Sequence, residues 1–153
     1  MDHDRRTLLK RAAGAAAVLA VALLEPMRAL AAAWNKEAFA AKNPSDALKG
    51  IGIADTVASN DLLIDAPQIA ENGAVVPVEI TSNIPNTTSI AVVIDKNPFP
   101  LAGKFDFMEG ALPFVKVNLK MGETSAVRVV ATAGGRNYVA SKDIKVTIGG
   151  CGG

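Results

Sequence analysis

Apolar and polar residues alternate with a period of two along most of the chain from about Leu62 onward. The apolar members of these runs are Val76, Val78 and Ile80, then Ile90, Val92 and Ile94, then Phe105 and Phe107, then Val115, Val117 and Leu119, then Val127 and Val129, and finally Ile144, Val146 and Ile148. Such alternation is typical of β-strands with one buried face. Turn-forming residues separate the runs at Asn72-Gly73, Asn83-Ile84-Pro85-Asn86, Asn97-Pro98, Met121-Gly122-Glu123 and Gly134-Gly135. The pattern predicts an all-β fold, an immunoglobulin-like β-sandwich.

The segment that precedes the strands carries a helical signal. Residues Trp34–Ala41 favour a short N-terminal helix, with Trp34 available to anchor it. Asn43–Asp46 ends this helix and can cap a second turn that runs through Leu48. The predicted sandwich is therefore preceded by short helical structure.

The densest group of large apolar residues lies in the middle of the chain. Its members are Phe99, Leu101, Phe105, Phe107, Met108, Leu112 and Phe114. We expect them to fill the sandwich core, because large apolar side chains are usually buried. The alternative is that some of them form an exposed patch for a partner subunit.

The first 33 residues have the organisation of an export signal. Adjacent Arg5 and Arg6, followed by apolar residues and Lys10, resemble a twin-arginine motif. An alanine-rich apolar run follows at Ala12–Leu24. Small-residue cleavage sites come after it, at Ala29–Ala31 and Ala31–Ala33. The run is shorter than the ~20 residues that span a bilayer, which favours a cleaved signal over a membrane anchor. We divide the chain into a signal at 1–33, a sandwich domain with its helix at 34–148, and an arm at 149–153.

Charge and residue types exclude several classes of function. The signal holds five of the 16 basic and three of the 15 acidic residues, which leaves 11 and 12 and a net charge of about −1. This balance argues against nucleic-acid binding. His3, the only histidine, leaves with the signal, so the mature chain has no His and one Cys. A Ser–His–Asp triad, a Cys–His pair, a four-ligand zinc site and a His-ligated haem are all excluded, and we expect neither a cofactor nor enzyme activity.

The only cysteine, Cys151, carries the candidate chemistry. It stands between two pairs of glycines, Gly149-Gly150 and Gly152-Gly153. Glycine leaves the backbone free on both sides of the sulfur, and this composition predicts a flexible arm with an exposed thiol. An odd cysteine in an exported protein indicates intermolecular pairing or a reactive thiol. We favour a chemical role over that of a small buried hydrophobe.

The export signal, the histidine-free sandwich and the terminus Val146–Gly153 together resemble the SoxY family, the sulfur-carrier subunits of the bacterial thiosulfate-oxidising Sox system. The resemblance implies a periplasmic carrier that holds thiosulfate-derived sulfur covalently on Cys151 and is not itself an enzyme. It implies a heterodimer with SoxZ, and transient contacts with SoxAX, SoxB and SoxCD. SoxAX would attach thiosulfate oxidatively, SoxB would hydrolyse the sulfonate to sulfate, and SoxCD, where present, would oxidise the remaining sulfane sulfur.

Other classes of protein remain as alternatives. One is a secreted binding module that dimerises through a Cys151–Cys151 disulfide, although a carrier can form the same dimer. An adduct with added sulfur mass separates the two. The terminal Gly152-Gly153 also resembles ubiquitin-like sulfur carriers, but the export signal argues against these. A prenylation box needs its cysteine four residues from the end, whereas Cys151 is third from the end.

Overall fold

The computed structural model describes residues 35–148. Two short helices come first, α1 at Lys36–Ala40 and α2 at Pro44–Gly50. The side-chain oxygen of Asn35 accepts from the backbone N–H of Ala38, and that of Asn43 accepts from Asp46. Asparagine is a preferred N-cap because it satisfies a backbone donor that the first turn leaves free. The predicted N-terminal helix and the second helical turn are confirmed as α1 and α2, whereas Trp34, the suggested anchor, lies outside the described residues.

Nine strands follow along the described residues. They are β1 at Val57–Ala58, β2 at Leu62–Asp65, β3 at Ile69–Ala70, β4 at Val76–Ser82, β5 at Thr87–Ile94, β6 at Leu101–Asp106, β7 at Phe114–Leu119, β8 at Ser125–Ala133 and β9 at Arg136–Val146. The predicted turns lie between them. Gly134 and Gly135 both adopt positive φ in the tight connection from β8 to β9, a conformation that glycine allows.

The strands form two layers. The larger sheet has the order β1-β9-β8-β5-β6, with β3 also paired to β9, and the smaller sheet has the order β2-β4-β7. Pairing is antiparallel except that β1 and β3 run parallel to β9. Between β1 and β3 the chain crosses to the smaller sheet, where β2 pairs with β4. This arrangement confirms the predicted immunoglobulin-like β-sandwich.

The main core lies between the two sheets. Alternate residues of each strand face inward and fill this core. Val76, Val78 and Ile80 from β4 face Val127 and Val129 from β8. All five side chains are fully buried. Burying one such side chain contributes about 1.5–3 kcal/mol, so this layer is the main source of stability.

Strand β5 is buried on both faces. Ile90, Val92 and Ile94 point into the main core, whereas Ala91 and Val93 belong to a second apolar cluster. Further members of this second cluster come from the helices and from neighbouring strands: Ala38, Ala47, Leu48, Ile53, Leu101 and Val130. The helices therefore cover the outer face of the larger sheet.

The expectation for the central apolar stretch is wrong for several of its members. Leu101 is buried, and Phe105 and Phe107 pack partly buried against the main core. Four others are exposed, at 51% for Phe99, 86% for Met108, 83% for Leu112 and 47% for Phe114. Met108 and Leu112 lie in the loop between β6 and β7, where no second layer covers them.

A surface ion pair crosses the outer face of the smaller sheet. Lys116 on β7 contacts Glu79 on β4 at 2.6 Å, and the two residues are register partners. The hydrogen bond and the charge of Glu79 raise the pKa of Lys116 above its ordinary 10.5. A raised lysine pKa stabilises the folded state below the unfolded pKa, and this contribution is lost as the pH rises through the folded pKa. The pair is exposed to solvent, so its contribution is small.

Substitution Gly50→Ala tests the close packing of α1 on α2. A Cβ at Gly50 would lie 2.8 Å from the Ala38 Cβ and 2.9 Å from its Cα, so backbone must move. We expect the overpacking cost, about 1–3 kcal/mol, to exceed the helix-propensity gain of about 1 kcal/mol. Urea unfolding measures the difference, with exposed Lys49→Ala as control. A more stable Gly50→Ala protein would contradict this packing.

Candidate functional site

The predicted site residues lie outside the described part of the chain. These are Cys151, the arm glycines Gly149, Gly150, Gly152 and Gly153, and the signal residues Arg5 and Arg6. The last described residue is Ile148, three positions before Cys151. The structure therefore describes the residues that precede the predicted arm, and that end of the sandwich is the candidate site.

Backbone hydrogen bonds continue beyond the end of β9. The N–H of Lys145 donates to the Gln68 carbonyl at 2.9 Å, and that of Thr147 donates to the Ala70 carbonyl at 3.1 Å. The N–H of Gly73 then donates to the Ile148 carbonyl at 2.8 Å. We call Lys145–Ile148 and the paired segment Gln68–Gly73 the arm root. Strand β9 ends at Val146, two residues before the predicted Ile148, yet its hydrogen bonding reaches Ile148.

The β7–β8 loop and a bond within the arm root hold the root in place. Buried Gly73 accepts from the Met121 N–H at 2.7 Å, which ties the β7–β8 loop to the root. The hydroxyl of Thr124 accepts from the Val146 N–H at 2.9 Å, and that of Thr147 donates to the Glu71 carbonyl at 3.0 Å. Each such bond contributes about 0.5–1.5 kcal/mol, and together they fix the position from which the arm starts.

Asn97 braces the same end of the sandwich. Its side-chain amide donates to the Lys120 carbonyl at 2.7 Å, and its oxygen accepts from the Gly122 N–H at 3.2 Å. The backbone N–H of Lys96 donates to the Ser125 hydroxyl at 3.0 Å. The β5–β6 loop therefore supports the β7–β8 loop, which in turn supports the arm root.

A first groove in the described part of the chain lies out of reach of Cys151. This open groove of about 730 Å³ is lined by β1, β2 and residues 139–142 of β9. Its nearest β9 residue, Lys142, precedes Ile148 by six positions, which is about 20 Å at 3.3 Å per residue. Three residues of chain, in any conformation, place Cys151 within about 10 Å of Ile148. The groove is therefore not a docking site for the cysteine of the same chain.

A second groove, of about 500 Å³, lies at the opposite end of the sandwich between the β4–β5 and β6–β7 loops. Thr88 in this groove donates to the Thr132 carbonyl, and Thr132 is the register partner of Asn137. Asn137 precedes Ile148 by eleven residues, or about 36 Å of strand. Neither groove can supply reacting groups to Cys151 within one molecule.

The described residues offer little catalytic chemistry of their own. Residues 35–148 contain no Cys and no His, and no group of three or more Asp and Glu among them is arranged to hold a metal ion. None of the described helices is long and apolar enough to cross a membrane. Arg128 is paired with Asp95 at 2.6 Å. The described residues supply a fixed starting point for the arm, and they place no cysteine or histidine beside it.

Sequence reasoning located the cysteine but missed the residues that hold its arm. The sequence predicts turns at Gly73 and Met121. The spacing of these turns does not indicate that the two loops meet near Ile148. Their contact depends on the pairing of β3 with β9, which joins segments more than 70 residues apart. The strand β3 itself has two residues, too few for a periodic signal.

The fold and the arm root define a β-sandwich protein whose only cysteine comes three residues after the sandwich rather than within it. A family model described as sulfur oxidation protein SoxY matches residues 49–151, a range that includes Cys151. The chain belongs to the SoxY family.

A solved structure supports the same assignment. The chain is similar to the sulfur carrier protein SoxY from Chlorobium limicola f thiosulfatophilum, with 36% sequence identity and a TM-score of 0.64. The similarity covers 74% of this chain and 99% of that chain. No curated protein matches the chain.

Substitution Asn97→Ala tests the brace beneath the arm root. It removes two hydrogen bonds, so we expect a loss of about 1–2 kcal/mol in the free energy of unfolding. Hydrogen exchange at the Thr147 and Gly73 amides should also become faster. The control is Asn118→Ala, because Asn118 is exposed on β7. Equal stability and equal exchange in the two variants would contradict a bracing role.

Proposed function

We propose that this protein is a periplasmic sulfur carrier, which holds thiosulfate-derived sulfur covalently on Cys151 and presents it to separate Sox enzymes. The observation that carries the proposal is the placement of the only cysteine. It follows a hydrogen-bonded arm root by three residues, in a SoxY-family chain in which the two grooves described above lie beyond its reach.

The chemistry on Cys151 would proceed in two balanced steps. In the first, the thiolate and thiosulfate would form a sulfur–sulfur bond and give Cys–S–S–SO₃⁻, and SoxAX, as the oxidant, would take up the two electrons released. In the second, SoxB adds water across the S–SO₃ bond. This hydrolysis releases sulfate and two protons and leaves the persulfide Cys–S–S⁻. Where SoxCD is present, it would oxidise that remaining sulfur.

The carrier and its enzymes would divide the work of activation. A cysteine reacts as its thiolate, and an ordinary thiol has a pKa of about 8.5. A histidine at the arm root could lower this pKa, but the described residues include no histidine. The enzyme that receives the arm would supply the positive charge or the base that activates the thiol. The thiol would therefore stay unreactive until the arm is bound. The chain itself would act as a substrate of these enzymes and not as a catalyst.

The remaining assignments rest on family membership and on the sequence. SoxZ is the proposed heterodimer partner, and a Cys151–Cys151 disulfide dimer is a proposed oxidised form. Export would use the twin-arginine signal that contains Arg5 and Arg6, with the mature protein released from the membrane after cleavage. No cofactor is assigned to this chain.

Substitution Cys151→Ser tests the carrier assignment. The mature protein, incubated with thiosulfate, SoxAX and SoxB, should gain reductant-labile sulfur or thiosulfonate mass on the Cys151 peptide. The variant should gain none and should keep the wild-type melting temperature, because the position lies outside the sandwich. Intact-mass spectrometry before and after reduction measures both forms.

A relocated thiol provides the matched control. Ser141 is exposed on β9, so Ser141→Cys in the Cys151→Ser background restores an accessible thiol far from the arm. We expect this double variant to remain unloaded. Loading of Cys151→Ser would contradict the carrier assignment. A wild-type thiol that is found only free or disulfide-linked, although the enzymes are active, would contradict it as well.

Substitution Gly150→Val tests whether the arm enters a narrow channel. A branched side chain beside Cys151 adds width to the arm, so enzymatic turnover should fall more than stability does. The turnover of Gly150→Ala should lie between that of the wild type and that of the valine variant, because alanine adds a single methyl group. The rates of loading and of sulfate release are measured together with the melting temperature. Unchanged turnover in the valine variant would show that channel width is not limiting.

A further inference from the structure

Three large apolar side chains are exposed around the arm root. Ile69 on β3 is 56% exposed, Val75 before β4 is 58% exposed, and Ile148 at the start of the arm is 68% exposed. Scattered exposed apolar residues are ordinary on protein surfaces, whereas several around one functional point indicate a contact surface. We call these three residues the apolar collar.

The hydrogen bonds of the root place the collar members close to one another. Ile69 is the register partner of Lys145, three residues before Ile148. Val75 follows Gly73 by two residues, about 7 Å of chain, and the Gly73 N–H is bonded to the Ile148 carbonyl at 2.8 Å. The three collar residues therefore lie near the point at which the arm leaves the sandwich.

The length of the arm decides what covers this surface. Cys151 cannot lie more than about 10 Å from Ile148, because only three residues separate them. An enzyme that encloses the cysteine in its active site must then bring the entrance of that site within the same distance of Ile148. The surface around that entrance meets the collar whenever the sulfur reacts.

We propose that the apolar collar of Ile69, Val75 and Ile148 is the docking surface for the enzymes that act on Cys151, and that it binds an apolar rim around the entrance to their active sites. The proposal rests on the carrier function proposed above. Since the arm is too short for two enzymes to reach Cys151 together, each enzyme occupies the collar in turn. Successive steps on one carrier are therefore separated by complete dissociation.

Charged substitutions on the collar test the proposal. Ile69→Asp and Val75→Asp each place a carboxylate in the apolar contact, while both positions are exposed enough to tolerate it in the free protein. The matched control is Val57→Asp, because Val57 is 60% exposed and lies, like Ile69, on a two-residue strand parallel to β9. Val57 pairs with Tyr138, ten residues and about 33 Å along β9 from Ile148.

The measurement compares two reactions of the same thiol, using the full mature protein. Enzymatic loading by SoxAX with thiosulfate gives kcat/KM for each variant, and a small aromatic disulfide reagent gives the intrinsic reactivity of Cys151. We expect each collar variant to lose about tenfold in kcat/KM, as for an anchor residue at an interface. The small-reagent rate, the melting temperature and the loading of Val57→Asp should match the wild type.

Each outcome separates the two proposals. Loss of loading confined to the collar variants, with small-reagent reactivity retained, supports the docking surface. Equal loading of Ile69→Asp, Val75→Asp and Val57→Asp overturns the docking surface and leaves the carrier function standing. A wild-type protein that is never loaded overturns the carrier function, and the docking surface falls with it.

Discussion

The structure depends on the burial of β5 from both sides. The smaller sheet covers Ile90, Val92 and Ile94 on one face of the strand. The two helices cover Ala91 and Val93 on the other face. A sheet with one apolar face requires a single covering layer, whereas this one requires two. The short helices at 36–50 are therefore part of the folded core, although they are far from the cysteine in sequence. Their tight contact at Gly50 follows from that covering role.

Stability and chemistry occupy separate parts of the chain. The sandwich contributes apolar burial and a network of backbone hydrogen bonds, and its described residues place no cysteine or histidine at the arm root. The arm contributes the thiol and no large apolar side chain. In the proposed carrier, such separation would let the thiol accept different sulfur groups without a change in the core, because no core residue would need to adapt to the cargo. Specificity would then belong to the enzymes proposed to receive the arm.

The sequence pattern predicted the long strands well because each carries several alternations that report one buried face. The alternation of Ile90, Val92 and Ile94 predicts one buried face for β5, whereas Ala91 and Val93 on its other face are also covered. The core assignment was wrong for Phe99, Met108, Leu112 and Phe114, since hydrophobicity alone does not say whether a loop has a neighbouring layer. The arm root was missed because it depends on long-range contacts of β3, which periodicity cannot report.

The position of β9 has a consequence for the life of the protein in the cell. This strand pairs with β1, β3 and β8, so the larger sheet cannot close until β9 has been synthesised. A prematurely terminated chain leaves the edge of β8 bare and lacks Ile144 from the core, which exposes it to aggregation and proteolysis. Chains that end before β9 are thereby exposed to removal by ordinary quality control. Folding acts as a check that synthesis has reached the end of β9, the strand from which the arm extends.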